Sequence, residues 1–149
     1  MATILKEQIN DDVKSTLRAG DKRRLSVLRQ VLAAIKQREV DERIILDDAQ
    51  IINVLDKMAR QRQEAIEIFQ KGGRQDLVDQ ESFELQVLQK YMPARLSEAE
   101  IEVLVKQAIA ETGAVSIKDM GRVMTLLKPH VQGRADMSAV SNRVKQRLS

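Results

Sequence analysis

Residues 46–73 read LDDAQIINVLDKMARQRQEAIEIFQKGG, and this stretch decides the fold. Asp47 and Gln50 stand at capping-box spacing, and Leu46 and Ile51 occupy the two positions of a hydrophobic staple. Ile51, Leu55, Met58, Ala65, Ile66 and Phe69 then recur on one face at helical period, until Gly72 and Gly73 stop the run. This predicts a helix to about Lys71.

The same punctuation recurs on both sides. Leu5, Ile9, Val13 and Leu17 predict a helix over 3–18, stopped by Gly20. Asp21 caps a second over 22–40, whose apolar line is Leu25, Leu28, Leu32 and Ile35. Ile44-Ile45-Leu46 is too short for a strand without a partner and reads as a connector tucked against the bundle. A fourth helix, 75–91, carries Leu77, Leu85, Leu88 and Tyr91 and is closed by Pro93. Ser97 with Glu100, and Leu96 with Ile101, repeat the box and staple ahead of a fifth, 98–111, ended by Gly113. Ser116 opens a sixth, 117–127, which should stop before Pro129, and Asp136 caps a seventh with Met137, Val140, Val144 and Leu148 inward. The expected fold is all-α: an N-terminal four-helix domain, 1–92, followed by a small three-helix C-terminal domain, 93–149.

Composition agrees and excludes several functions. Of 149 residues 43% are hydrophobic but only 2% aromatic, namely Phe69, Phe83 and Tyr91, with no Trp and no Cys. Disulfide, thiol and Cys-containing zinc chemistry are excluded, as is an RNA platform built on rows of stacking aromatics. No stretch approaches the roughly 20 apolar residues of a membrane span, so no membrane partner is expected. The N-terminal residues carry no signal- or transit-peptide pattern, and a cytoplasmic location is the expectation. Net charge is +3, all of it in residues 93–149: residues 1–92 hold 16 basic and 16 acidic residues, and residues 113–149 hold 7 basic against 2 acidic. A neutral body carries a basic tail.

Five constellations bear on chemistry. Arg62 breaks the apolar stripe of its helix, and if the chain folds back at Gly72-Gly73 it meets Glu81 or Glu84. Such carboxylates suit acid–base work, but with no nucleophile, metal ligand or Gly-rich loop beside them the pair reads as a structural ion pair fixing register. Lys22, Arg29 and Lys36 recur every seventh residue, either as a rail for phosphates or with their stems over the core margin. Gly121, in Asp119-Met120-Gly121-Arg122, is a packing notch or a bare backbone patch where a ligand approaches beside Lys118 and Arg122. Gly133-Arg134 precedes a helix N-terminus, an anion-attracting position partly occupied by Asp136. Lys128, Arg134, Arg143, Lys145 and Arg147 complete the basic tail. The lone His130 in a loop reads as neither ligand nor base. No catalytic triad, phosphate loop or metal-ligand spacing occurs, so no metal and no cofactor are expected.

Several of these residues carry a resemblance that runs nearly end to end. Leu28-Arg29, Ile35-Lys36, Glu39, Gly73-Arg74, Asp76-Leu77, Glu81, Glu84-Leu85, Tyr91-Met92-Pro93, Asp119-Met120-Gly121-Arg122-Val123-Met124 and Gly133-Arg134-Ala135-Asp136 together resemble the YqeY family. That family is similar to the C-terminal helical and tail domains of GatB, the B subunit of tRNA-dependent amidotransferases. The resemblance implies a tRNA-binding accessory module, with Lys118, Gly121, Arg122, Lys128, Gly133, Arg134, Lys145 and Arg147 as RNA contacts. It implies tRNA as the nucleic acid, not DNA. The large catalytic domain of GatB has no counterpart in the chain, so the carbon–nitrogen ligase activity that uses glutamine as amido donor does not carry over. The alternative is a protein-interaction module docking on an amidotransferase or aminoacyl-tRNA synthetase assembly without touching RNA.

Overall fold

The computed structural model describes residues 4–149. Within them the chain is helical, as its periodicity predicts: α1 Ile4–Ala19, α2 Lys22–Glu42, α3 Asp48–Lys71, α4 Gln75–Gln89, α5 Glu98–Thr112, α6 Met120–Val131 and α7 Met137–Leu148. The expected start of the first helix at residue 3 lies outside the described residues. One 3-10 turn, Ile117–Asp119, leads into α6. The chain divides into two compact units, the second running Pro93–Ser149. Each has its own core: Ile9, Leu28, Val31, Ile35, Leu46, Ile51, Leu55 and Leu88 centre the first, and Val105, Val123, Leu127, Val131, Val140 and Val144 the second.

The helix starts follow from local hydrogen bonds. Asp47 accepts from the Gln50 amide at 2.8 Å while the Gln50 side chain accepts from the Asp47 amide at 2.9 Å, and Ser97 with Glu100 does the same at 3.1 and 3.2 Å. These satisfy amides that a helix start leaves unpaired. The end of α2 is less usual, because Arg43 takes the left-handed conformation (φ 55°) that glycine ordinarily supplies. Glu39 secures the turn that follows: its carboxylate accepts from the Leu46 amide at 2.9 Å and from Lys6 Nζ at 3.1 Å. The Leu46 amide, and then Lys6, hold the Glu39 carboxyl below its usual range.

Three expectations are corrected. Of the 44–46 connector only Leu46 is tucked in, whereas Ile44 and Ile45 are exposed, because the Glu39 anchor grips the Leu46 amide alone. Leu17 is 57% exposed and Thr16 takes its place inside. Residues spaced four apart advance about 40° beyond one turn, so a line of three such steps winds roughly 120° off the core face. Finally, α6 passes through Pro129 instead of stopping before it. Proline costs one ladder bond, but Gln132 N still donates to Lys128 O at 3.0 Å and Val131 is fully buried, which holds the last turn.

The end of α4 is tied to α1 by Tyr91, whose buried hydroxyl donates to Asp12. Burial, and then Asp12, push this phenol up to about 12. An unfolded tyrosine ionises near 10, so the raised value contributes stability that is complete below about pH 10 and is lost as pH rises toward 12. The chain has one tyrosine. Its absorbance at the phenolate band should therefore stay flat past pH 10 and rise only with alkaline unfolding; an ordinary titration at 10 in folded protein would refute the contact.

Candidate nucleic-acid interface

The second unit presents its cations unequally. Ser116 and Asp119 start α6: the Asp119 carboxylate accepts from the Val115 and Ser116 amides at 3.0 and 3.3 Å and from Arg122 at 2.5 Å. The Val115 amide, and then Arg122, keep its carboxyl below the ordinary aspartate value. Arg122 also donates to Thr112 O at 3.3 Å, so it is oriented along the start of the helix and its charge is partly matched.

Beside it runs a stripe with different chemistry. Lys118, Gly121, Thr125 and Lys128 succeed one another at steps of three and four residues, and all four are exposed. Among the described residues neither lysine side chain has an ion-pair or hydrogen-bond partner. A Cβ built on Gly121 would meet nothing within 4 Å. The glycine is therefore not a packing notch; it leaves backbone open to solvent, with the Thr125 hydroxyl donating to its carbonyl at 2.8 Å. Thr125 was not singled out in the sequence, although its position one turn after Gly121 places it on this face.

The remaining expected contacts are engaged elsewhere or apart. Gly133 is buried with φ 72°, a backbone conformation that shapes the loop before α7 and meets no surface. Arg134 Nε donates to Ala94 O at 3.1 Å while its carbonyl accepts from Leu96 N at 2.8 Å, so it ties residues 94–96 to that loop. Arg147 pairs with Glu102, as does Arg143 at 2.9 Å; the two guanidiniums hold the Glu102 carboxyl low, Arg147 foremost. Lys145 on α7 is exposed and makes no ion pair among the described residues. Of the seven cations of the tail, Arg122, Arg143 and Arg147 thus meet carboxylates and Arg134 is held by a carbonyl, which leaves the side chains of Lys118, Lys128 and Lys145 without a partner among the described residues. His130 is exposed.

In the first unit α3 and α4 fold back on each other, and Arg62 Nε lies 2.8 Å from Glu84 Oε2 and 3.5 Å from Glu81 Oε2. Arg62 Nη2 donates to Gln30 at 3.0 Å. One guanidinium thus faces two carboxylates, and the buried Glu81 Oε2 receives no hydrogen bond. Although Arg62 Nε is close to Glu84, its N–H is not aligned with an acceptor. Burial, then the neighbouring Glu84, raise the Glu81 carboxyl. Among the described residues no group of His, Cys, Asp or Glu is placed to hold a metal ion, and no helix is long and apolar enough to cross a membrane.

The family described as "Yqey-like protein" matches residues 6–148. A relative from Eremothecium gossypii, named "Altered inheritance of mitochondria protein 41, mitochondrial", is 38% identical over 103 residues, covering 68% of this chain and 56% of that protein. The protein of the same name from Pyrenophora tritici-repentis is 32% identical over 146 residues, covering 93% of this chain and 78% of its own length. In Lachancea thermotolerans the corresponding figures are 32% over 106 residues, 69% and 57%. The chain thus spans little more than half the length of two of these relatives. The cytoplasmic location expected from N-terminal composition is corrected here, since these relatives carry the names of mitochondrial proteins. A leader pattern is read only from the residues it occupies, and its absence at the start of a chain does not fix where a family works.

Proposed function

The chain belongs to the YqeY-like protein family, and on that footing we propose that it is a tRNA-binding accessory module whose contact surface is the exposed face of α6. One observation supports this above the others: the Lys118–Gly121–Thr125–Lys128 stripe, two unmatched cations flanking bare backbone and a hydroxyl. The only acid beside it, Asp119, is occupied by two amides and Arg122. Such a surface contacts phosphate and sugar, and it has no aromatic on which to stack bases.

Titration with tRNA at several salt concentrations tests it. Three or four engaged phosphates give a log–log slope of roughly −2 to −4. The Lys118→Glu/Lys128→Glu variant should lose most of that slope with its fold intact; binding equal to the parent would refute the assignment. A second reading is favoured by a groove of about 400 Å³ lined by Leu96, Ala99, Val103 and Leu104, with Glu100 and Arg134 at its rim. It would seat an apolar segment of an amidotransferase or synthetase assembly. Capture of such a partner that survives RNase, with no tRNA binding, would replace the first reading by the second.

A further inference from the structure

The first unit is neutral as a whole, yet one helix in it is not. Residues 22–38 carry six cations, Lys22, Arg23, Arg24, Arg29, Lys36 and Arg38, and not one acid. Three are committed within the fold. The Arg23 guanidinium lies over the Phe83 ring at 4.2 Å, Arg24 stands close enough to the Tyr91 hydroxyl to act on its charge, and Arg38 pairs with Glu42. The other three are Lys22, Arg29 and Lys36. Each is exposed, and among the described residues none of the three side chains has an ion-pair or hydrogen-bond partner.

Their placement is regular. At 1.5 Å per residue they stand about 10.5 Å apart along roughly 21 Å of α2. The intervening positions of the stripe are Ser26 and Ala33, both exposed and both short, so α2 itself sets nothing bulky or acidic between the charges; the groove beside Ser26 is also lined by Asp76 and Glu84, which pair with Arg74 and Arg62. The opposite face, Leu25, Val27, Leu28, Val31 and Ile35, is buried in the core. The strip is therefore held rigidly, and a bound polyanion would not have to order the helix first.

We propose that this face of α2 is a second polyanion site, which docks the phosphate backbone of double-stranded RNA through Lys22, Arg29 and Lys36. Single strands are disfavoured because the aromatic beside the stripe, Phe83 next to Ser26, is covered by the Arg23 guanidinium. A lipid surface is disfavoured because interfacial helices insert an apolar face, and that of α2 is already spent in the core. A duplex backbone asks only for spaced cations on a firm support, and A-form RNA is recognised mainly by shape and by backbone contacts. This site lies in the first unit, whereas the α6 face belongs to the second.

The test uses the full chain and an RNA duplex of about 16 base pairs, titrated by fluorescence anisotropy from about 50 to 200 mM salt. Relative to the parent, the triple variant Lys22→Gln/Arg29→Gln/Lys36→Gln should flatten the log–log slope by about 2–3 and weaken binding on the order of tenfold or more. Thermal unfolding should be unchanged, because these side chains touch little. The Lys118→Glu/Lys128→Glu variant, run in parallel, reads the α6 face separately, so either assignment can fail alone. An unaltered slope in the triple variant overturns the proposal. So does a triple variant that loses affinity only for vesicles of anionic lipid, which would assign the strip to membranes.

Discussion

Leu127→Ala should unfold the C-terminal unit while the N-terminal unit stays folded. Leu127 is 1% exposed, at the centre of a cluster formed with Ile101, Val105, Val123, Val140 and Val144. Truncating a buried leucine costs about 2–5 kcal/mol, because the transfer energy is lost and the cavity does not fully collapse. Pro93–Ser149 is a unit of 57 residues, and at roughly 0.05–0.15 kcal/mol per residue it has only about 3–9 kcal/mol of total stability. The two cores share no residue, so the loss should stay local. Phe69, Phe83 and Tyr91 all lie before Pro93, so aromatic signals would miss the event. Amide exchange will see it: protection should vanish across α5, α6 and α7 and persist in α2 and α3. Simultaneous loss in both units, or protection of α6 unchanged, would contradict the two-core description.

The second large effect is expected at Arg62. Its side chain is 20% exposed, and those of Glu81 and Glu84 are 20% and 15% exposed. Arg62→Ala leaves two half-buried carboxylates facing each other without a cation. Removing one partner of a buried pair costs about 3–5 kcal/mol; partial solvent access here brings the expectation down to about 2–3 kcal/mol, or on the order of 10 °C in Tm for a domain of this size. The loss should depend on pH in a definite direction. The Glu81 carboxyl is already raised by burial and by Glu84, so folding favours its neutral form more than the unfolded chain does. Its contribution is favourable at low pH and is lost as pH rises through the raised value. Without Arg62 that shift deepens, and the deficit should shrink on acidification. A deficit that grows on acidification would show that lost packing of the arginine stem, not carboxylate repulsion, dominates.

Both expectations rest on features legible in the sequence to different degrees. The helices were readable because their causes are local: a cap acts across three residues, and amphipathic spacing repeats within one or two turns. Asp47 with Gln50 and Ser97 with Glu100 hold in the structure as their spacing predicts. The misreadings also had local causes. A four-residue spacing points Leu17 inward but drifts off the core face, and Pro129 reads as a stop although one missing bond near a helix end is cheaper than exposing Val131. For the Arg62 ion pair, its wheel position and a hairpin at Gly72-Gly73 suffice to set Glu81 and Glu84 opposite it, because α3 and α4 adjoin in sequence; the α6 stripe is legible from its spacing, but not which of its cations stay unpaired.

The sequence alone determined the all-helical class, the placement of the caps and the concentration of positive charge after residue 112. Which of those charges remain available was decided by tertiary packing. Arg143 and Arg147 meet Glu102 across 41 and 45 residues, and Arg134 reaches the Ala94 carbonyl across 40. No spacing rule spans such separations, and an ion pair requires its atoms within about 4 Å, a distance set by how α5 and α7 pack. Among the described residues Lys118, Lys128, Lys145, Lys22, Arg29 and Lys36 remain unmatched because no carboxylate is carried to them, and that is a property of the folded arrangement alone.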